Sequence, residues 1–159
     1  MNEIYSPVKC KGDVLMLIDW KDGRHQRKFY RNTVLKTGRR VMALMLANQI
    51  GDAFSFYISR MIFGDGGTDG GVKNYVSADR NGLFGTVRLA KPVIASFDSF
   101  LPTQVIFTST IKFEEAVGLT LNEMALQMSN GDLYSMITFS DFTKTEEMSV
   151  TWQWRLNFI

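Results

Sequence analysis

The sequence predicts a mainly β (α+β) fold, an antiparallel sheet or β-sandwich with one packed amphipathic helix. Three observations carry this. From Met148 to Phe158 the even positions are Met148, Val150, Trp152, Trp154, Leu156 and Phe158, with Ser, Thr, Gln, Arg and Asn between them. That is the period-two signature of a half-buried strand. Asn130-Gly131 separates two apolar runs, a strong hairpin signal. Only the stretch 34–50 shows helical spacing, through Val34, Leu35, Val41, Leu44, Met45 and Ala47 or Asn48.

In chain order, residues 14–20 are β-compatible and run into Lys21-Asp22-Gly23, so 24–30 forms the second strand of a hairpin. Arg24, His25, Gln26, Arg27 and Lys28 make that strand too polar for a sheet interior; it belongs at an exposed face or an interface. The helix is expected over about 38–49, with Thr37 as N-cap and Gly51 as its stop. Its Met42, Leu44, Met45 and Leu46 are read as core packing. A strand follows over 53–63, and the glycines of 64–71 then force a loop. Short strands are expected over 84–89 and 93–97, interrupted by Lys91-Pro92. Val105, Phe107, Ser109 and Ile111 form the buried side of the next strand. Strands over 119–128 and 133–139 flank Asn130-Gly131. In the closing strand a one-residue slip would expose both tryptophans, which fixes its register.

With 159 residues the chain suits one domain with a short arm: an N-terminal β-hairpin arm over 1–33 and a helix plus antiparallel β domain over 34–159. Hydrophobic residues at 45% and charged residues at 21% exclude wholesale disorder. No apolar run approaches the roughly 20 residues needed to cross a bilayer, so no membrane partner is expected. The start, Met1 to Pro7, lacks the pattern of a signal peptide. One cysteine, Cys10, and one histidine, His25, exclude Cys/His metal clusters and the usual Ser-His or Cys-His nucleophile pairs.

Charge is uneven. Residues 1–45 carry ten Lys or Arg against four Asp or Glu, whereas residues 46–159 carry eight against twelve. A net charge of +2 without blocks of basic residues argues against nucleic acid and for contact with the acidic part of a neighbouring copy. The basic hairpin residues Arg24, Arg27, Lys28 and Arg31 are the first candidates for such contact.

Few residues suggest chemistry. The glycine loop lacks a following helix or a Lys-Ser/Thr ending, which sets phosphate binding aside. Asp65, Asp69 and Asp79 have the chemistry of calcium ligands, but the preferred reading is a tight loop whose backbone approaches a neighbouring element. Asp65 and Asp69 stay as interface candidates on that loop. Glu114-Glu115 and Glu146-Glu147 are adjacent pairs that strand geometry would point apart. Glu123 lies in an apolar strand and needs a partner if buried, for which the helix residues Arg39 and Arg40 are the candidates. Trp152 and Trp154 could stack on sugars or bases, but core packing or burial against another subunit is preferred. No catalytic residue, cofactor or metal is assigned.

Several segments together resemble tailed-bacteriophage virion structural proteins. They are Thr37-Gly38-Arg39-Arg40 opening the helix, Phe63-Gly64-Asp65-Gly66-Gly67-Thr68 after the next strand, Leu121-Asn122-Glu123-Met124-Ala125-Leu126 before Asn130-Gly131-Asp132-Leu133-Tyr134, and Trp152-Gln153-Trp154-Arg155 at the close. The pattern is similar to collar-type or N-terminal anchoring domains of tail-fibre and baseplate proteins and covers roughly 35–159. The resemblance implies a virion protein without an enzymatic centre. It would assemble in the cytoplasm of a bacterial host and act through interfaces with its own copies and with other tail, neck or baseplate proteins. Fibre proteins often continue into a long shaft or receptor-binding tip; this chain stops at Ile159, so a connector, collar, baseplate or fibre-anchoring part is expected instead. The alternative is a carbohydrate-binding or receptor-binding β-sandwich module; a carboxylate hydrolase ranks below it.

Overall fold

The computed structural model describes residues 9–47, 49 and 56–159. In order these form β1 (Cys10–Trp20), β2 (His25–Arg31), β3 (Thr33–Val34), α1 (Lys36–Leu46), β4 (Ile58–Gly64), β5 (Thr68–Asp69), β6 (Val72–Lys73), β7 (Val87–Pro92), β8 (Ile94–Asp98), β9 (Leu101–Ile111), β10 (Thr120–Met128), β11 (Leu133–Thr143) and β12 (Met148–Phe158). Two five-stranded antiparallel sheets pack together in the orders β2-β1-β12-β9-β8 and β3-β11-β10-β4-β7. The mainly β sandwich with one helix that the sequence predicts is the architecture formed.

The first hairpin turns at Gly23, whose φ of 89° is open to glycine at no steric cost. It is not a detached arm. β1 pairs with β12 along its whole length, from Cys10 opposite Phe158 to Trp20 opposite Met148, and Val14, Met16 and Ile18 are buried in the common core. A lone hairpin cannot hide such a face, so residues 10–33 fold as part of the sandwich. β2 takes the sheet edge, as its polarity requires.

The uninterrupted alternation of β12 becomes a row of inward side chains. Trp152 and Trp154 are both 0% exposed. Trp152 sits at the centre of an aromatic cluster, its ring centroid 5.2 Å from Phe139, 5.6 Å from Phe63 and 6.5 Å from Tyr30. Neither tryptophan can stack on a sugar or reach another subunit, which corrects their candidacy as interface residues. In β9 the buried side is Val105, Phe107, Ser109 and Ile111, as the alternation indicates.

The helix begins at Lys36 rather than 38. Leu35 occupies the N-cap position without a side-chain cap, and Thr37 lies inside the first turn, its hydroxyl donating to the Leu133 carbonyl instead. Gly38 lets the helix press onto β11: an added Cβ would stand 2.5 Å from the Tyr134 carbonyl oxygen. Among its helical residues only Gly38 and Val41 are fully buried. Met45 and Leu46, expected in the core, are exposed. The expected stop at Gly51, the strand over 53–55 and the N-terminal start lie outside the described residues.

The second sheet is covered on both faces. One faces the aromatic core; the other is sealed by Leu35, Val76, Leu83 and Phe84 over Ile62, Ala125, Leu133 and Met136. This explains why β10 and β11 read as nearly continuous apolar runs.

Replacing Trp152 by Ala should cost about 3–5 kcal/mol in urea unfolding, through lost burial and a residual cavity. Trp152→Phe should cost much less, because the Trp152 indole N–H meets no acceptor and only volume is lost.

Candidate functional site

Glu123 is 0% exposed, yet its partners are neither Arg39 nor Arg40. Its Oε1 accepts the backbone N–H groups of Gly66 at 2.9 Å and Gly85 at 2.8 Å, and its Oε2 accepts that of Phe84 at 2.7 Å. The expected arginine tie is therefore replaced by a backbone nest, which satisfies a buried carboxylate without a counter-ion. Arg39 reaches only the Val34 carbonyl, and Arg40 is exposed on the helix.

A β-bulge between Leu121 and Glu123 makes the nest possible. It brings adjacent residues to the same covering loops. Asn122 accepts the Gly67 N–H at 2.6 Å and donates to the Asp65 carbonyl, the Thr68 hydroxyl and Asp141. The glycines are what the contact demands: a Cβ on Gly67 would fall 2.2 Å from the Asn122 carbonyl oxygen, and one on Gly66 would fall 2.2 Å from the Gly85 nitrogen. This is the tight, backbone-approaching loop preferred from sequence.

The other loop carboxylates are divided among separate partners. Asp65 pairs with Arg88 and accepts the Thr86 N–H, Asp79 pairs with Lys36, and Asp69 is exposed at the end of β5, before the Gly70-Gly71 turn. Among the described residues no three such ligands come together around a metal position. Arg24 is held by Asp22 and lies 5.0 Å over the Trp20 ring. Arg27 and Arg31 are exposed on β2, whereas Lys28 is half-buried. His25 bonds Asp19 at the surface.

Sequence reasoning missed two surfaces, at opposite ends of the sandwich. At the end where β1 begins and β12 finishes, the inner face of β8 and β9 extends past its cover. There an apolar groove of about 560 Å³ opens between Phe97, Phe107 and Phe158 on one side and Met42, Met45 and Leu46 on the other. Phe97 is 76% exposed, and Phe100 at the nearby hairpin tip is 91% exposed. The apolar Val93, Ile94, Phe97, Phe100 and Leu101 after the expected break at Lys91-Pro92 were the available signal.

At the far end, the 112–118 loop is held from several sides. Lys144 is buried and donates through Nζ to the carbonyls of Phe113 at 2.9 Å and Thr145 at 2.7 Å; burial pulls its pKa down. Lys91 Nζ meets both oxygens of Glu115 at 2.7 Å. Ala116 adopts φ 56°, a left-handed conformation that a non-glycine residue holds only under tertiary constraint, and Val117 stands out 51% exposed. Adjacent sequence polarity gave no hint of a buried lysine here.

Glu123→Ala should leave three part-buried backbone N–H groups without their acceptor, each a loss of up to about 1–3 kcal/mol. The checks are a large drop in urea stability and faster amide exchange at Gly66, Phe84 and Gly85. Hydrogen bonds from Arg88, then Thr86, hold the Asp65 carboxyl below its ordinary pKa; the Thr68 hydroxyl, then Asn122, do the same for Asp141. Both folded values lie below the unfolded ones, so the native state binds fewer protons. Stability present above about pH 4 is lost as pH falls through the lowered values. Asp141→Asn should flatten that acid limb in a pH series of urea melts.

Comparisons with protein-family models, with curated proteins and with solved structures give no match for this chain.

Proposed function

We propose that this chain is a non-enzymatic structural protein of a tailed-phage virion, acting as a tail, neck or collar, baseplate or fibre-anchoring component through protein interfaces, among them contacts with its own copies. The observation that carries the reading is the apolar surface that the described residues leave uncovered at one end of the sandwich. Met45, Leu46, Tyr57, Phe97, Phe100 and Leu101 are all at least half exposed there. Large exposed patches of this kind mark places where another macromolecule sits. The resemblance drawn from the helix opening, the glycine loop and the closing strand supplies the setting. The structure adds a reason for the glycine loop and the Leu121–Leu126 segment to occur together, since they are the two halves of one clamp.

A carbohydrate-binding module would use aromatic side chains as a stacking platform. The pair on which that alternative stood, Trp152 and Trp154, is inside the core.

Two measurements test the proposal. Solution mass by light scattering should rise above the 18.1 kDa of one chain as concentration increases. The protein should also be present in purified phage particles by mass spectrometry, with tail or portal genes flanking its reading frame. Absence from particles would reject the virion role.

A further inference from the structure

The two ends of the sandwich complement each other in shape and in charge. At the groove end, Met42 and Leu46 continue from the apolar groove into a second depression bordered by Lys9, Lys11 and Arg39, and Arg40 borders the opposite flank beside Val41 and Phe56. Lys9, Lys11, Arg39 and Arg40 are exposed, and none is in an ion pair with a described residue. Among the described residues the acids nearby are engaged: Asp13 accepts from Arg155, Asp132 from Asn130 and Asp98 from the Phe100 N–H. The apolar floor therefore has a cationic rim.

The far end has the opposite character. Val117 projects from the constrained loop, with Glu114 and Glu146 beside it and neither paired with a described cation. Glu115 and Glu147 are held by Lys91 and Lys21, and Lys144 donates to carbonyls while the nearby charges of Glu114 and Glu115 favour its ammonium form. Lys112 is the remaining cation on the loop, placed next to Glu115. The loop is fixed before any partner arrives, so docking it would require little ordering.

We infer that copies of this chain stack head to tail. The 112–118 loop of one copy seats Val117 in the apolar groove of the next, and Glu114 and Glu146 face the rim formed by Lys9, Lys11, Arg39 and Arg40. The inference rests on the self-association part of the proposed function and names its two surfaces. Because the surfaces differ, the contact is heterologous and builds a ring or an open stack rather than a twofold dimer. Opposite charges at the rim fix the register and exclude the reversed pairing of groove on groove.

Charge swapping tests this. Lys11→Glu with Arg40→Glu reverses the rim, and Glu114→Lys with Glu146→Lys reverses the loop; none of the four side chains carries a hydrogen bond or ion pair to a described residue, and circular dichroism verifies folding. In sedimentation velocity at low salt, the unaltered chain should associate and dissociate as salt rises. Each variant alone should associate about tenfold or more weakly, since like charges would meet. An equimolar mixture should regain association, because each reversed end then finds its complement. Failure of the folded mixture to regain it, or unchanged association of either variant alone, overturns the head-to-tail contact while leaving self-association standing. Dissociation by Arg27→Glu with Lys28→Glu, with both end variants unaffected, would move the contact to the β2 edge. A chain that stays monomeric at every concentration removes both ideas, and detection in particles decides the virion role independently.

Discussion

The carboxylate of Glu123 is the interaction on which the second sheet depends. A buried charge without a cation is tolerated only where dipoles surround it, and here three backbone N–H groups from two separate segments do so. Those segments are brought down onto the outer face of β10, where Leu83, Phe84 and Val76 close a small second core. The bulge beside Leu121, the glycines at 66, 67 and 85 and the carboxylate form a single device. Removing any one of the three would remove the reason for the others.

That device leaves the two ends of the sandwich free to differ. One end carries a helix packed through Gly38, Val41 and Met42, while Met45 and Leu46 stand exposed beside an open groove. The other carries a loop drawn tight by a buried lysine and a bidentate ion pair. The charge asymmetry along the chain becomes an asymmetry in space, because the helix and both strand termini near Cys10 and Ile159 collect at the cationic end.

Much of this was legible in the sequence. Strict alternation from 148 to 158 gave β12 and its buried tryptophans, and Asn130-Gly131 gave the β10–β11 turn, where Gly131 has φ 94°. Local patterns succeed where one face meets a core. They mislead where a distant element decides. Thr37 resembles a cap, yet its hydroxyl is drawn to Leu133, 96 residues away. Glu123 called for a partner, but backbone N–H groups from a loop have no sequence signature distinct from glycine. The rule that neighbouring strand residues point apart broke at the bulge that serves Asn122 and Glu123 together. Lys144 has no local mark of burial in the sequence, since what covers it is the 112–118 loop between β9 and β10.

One consequence follows from the place of β12 in its sheet. The strand lies between β1 and β9, so it joins two hairpins that otherwise share no hydrogen-bonded edge. During synthesis β1 leaves the ribosome, with only β2 to pair, more than a hundred residues before β12 exists. A polypeptide lacking Met148–Phe158 would hold two half-sheets with no keystone between them.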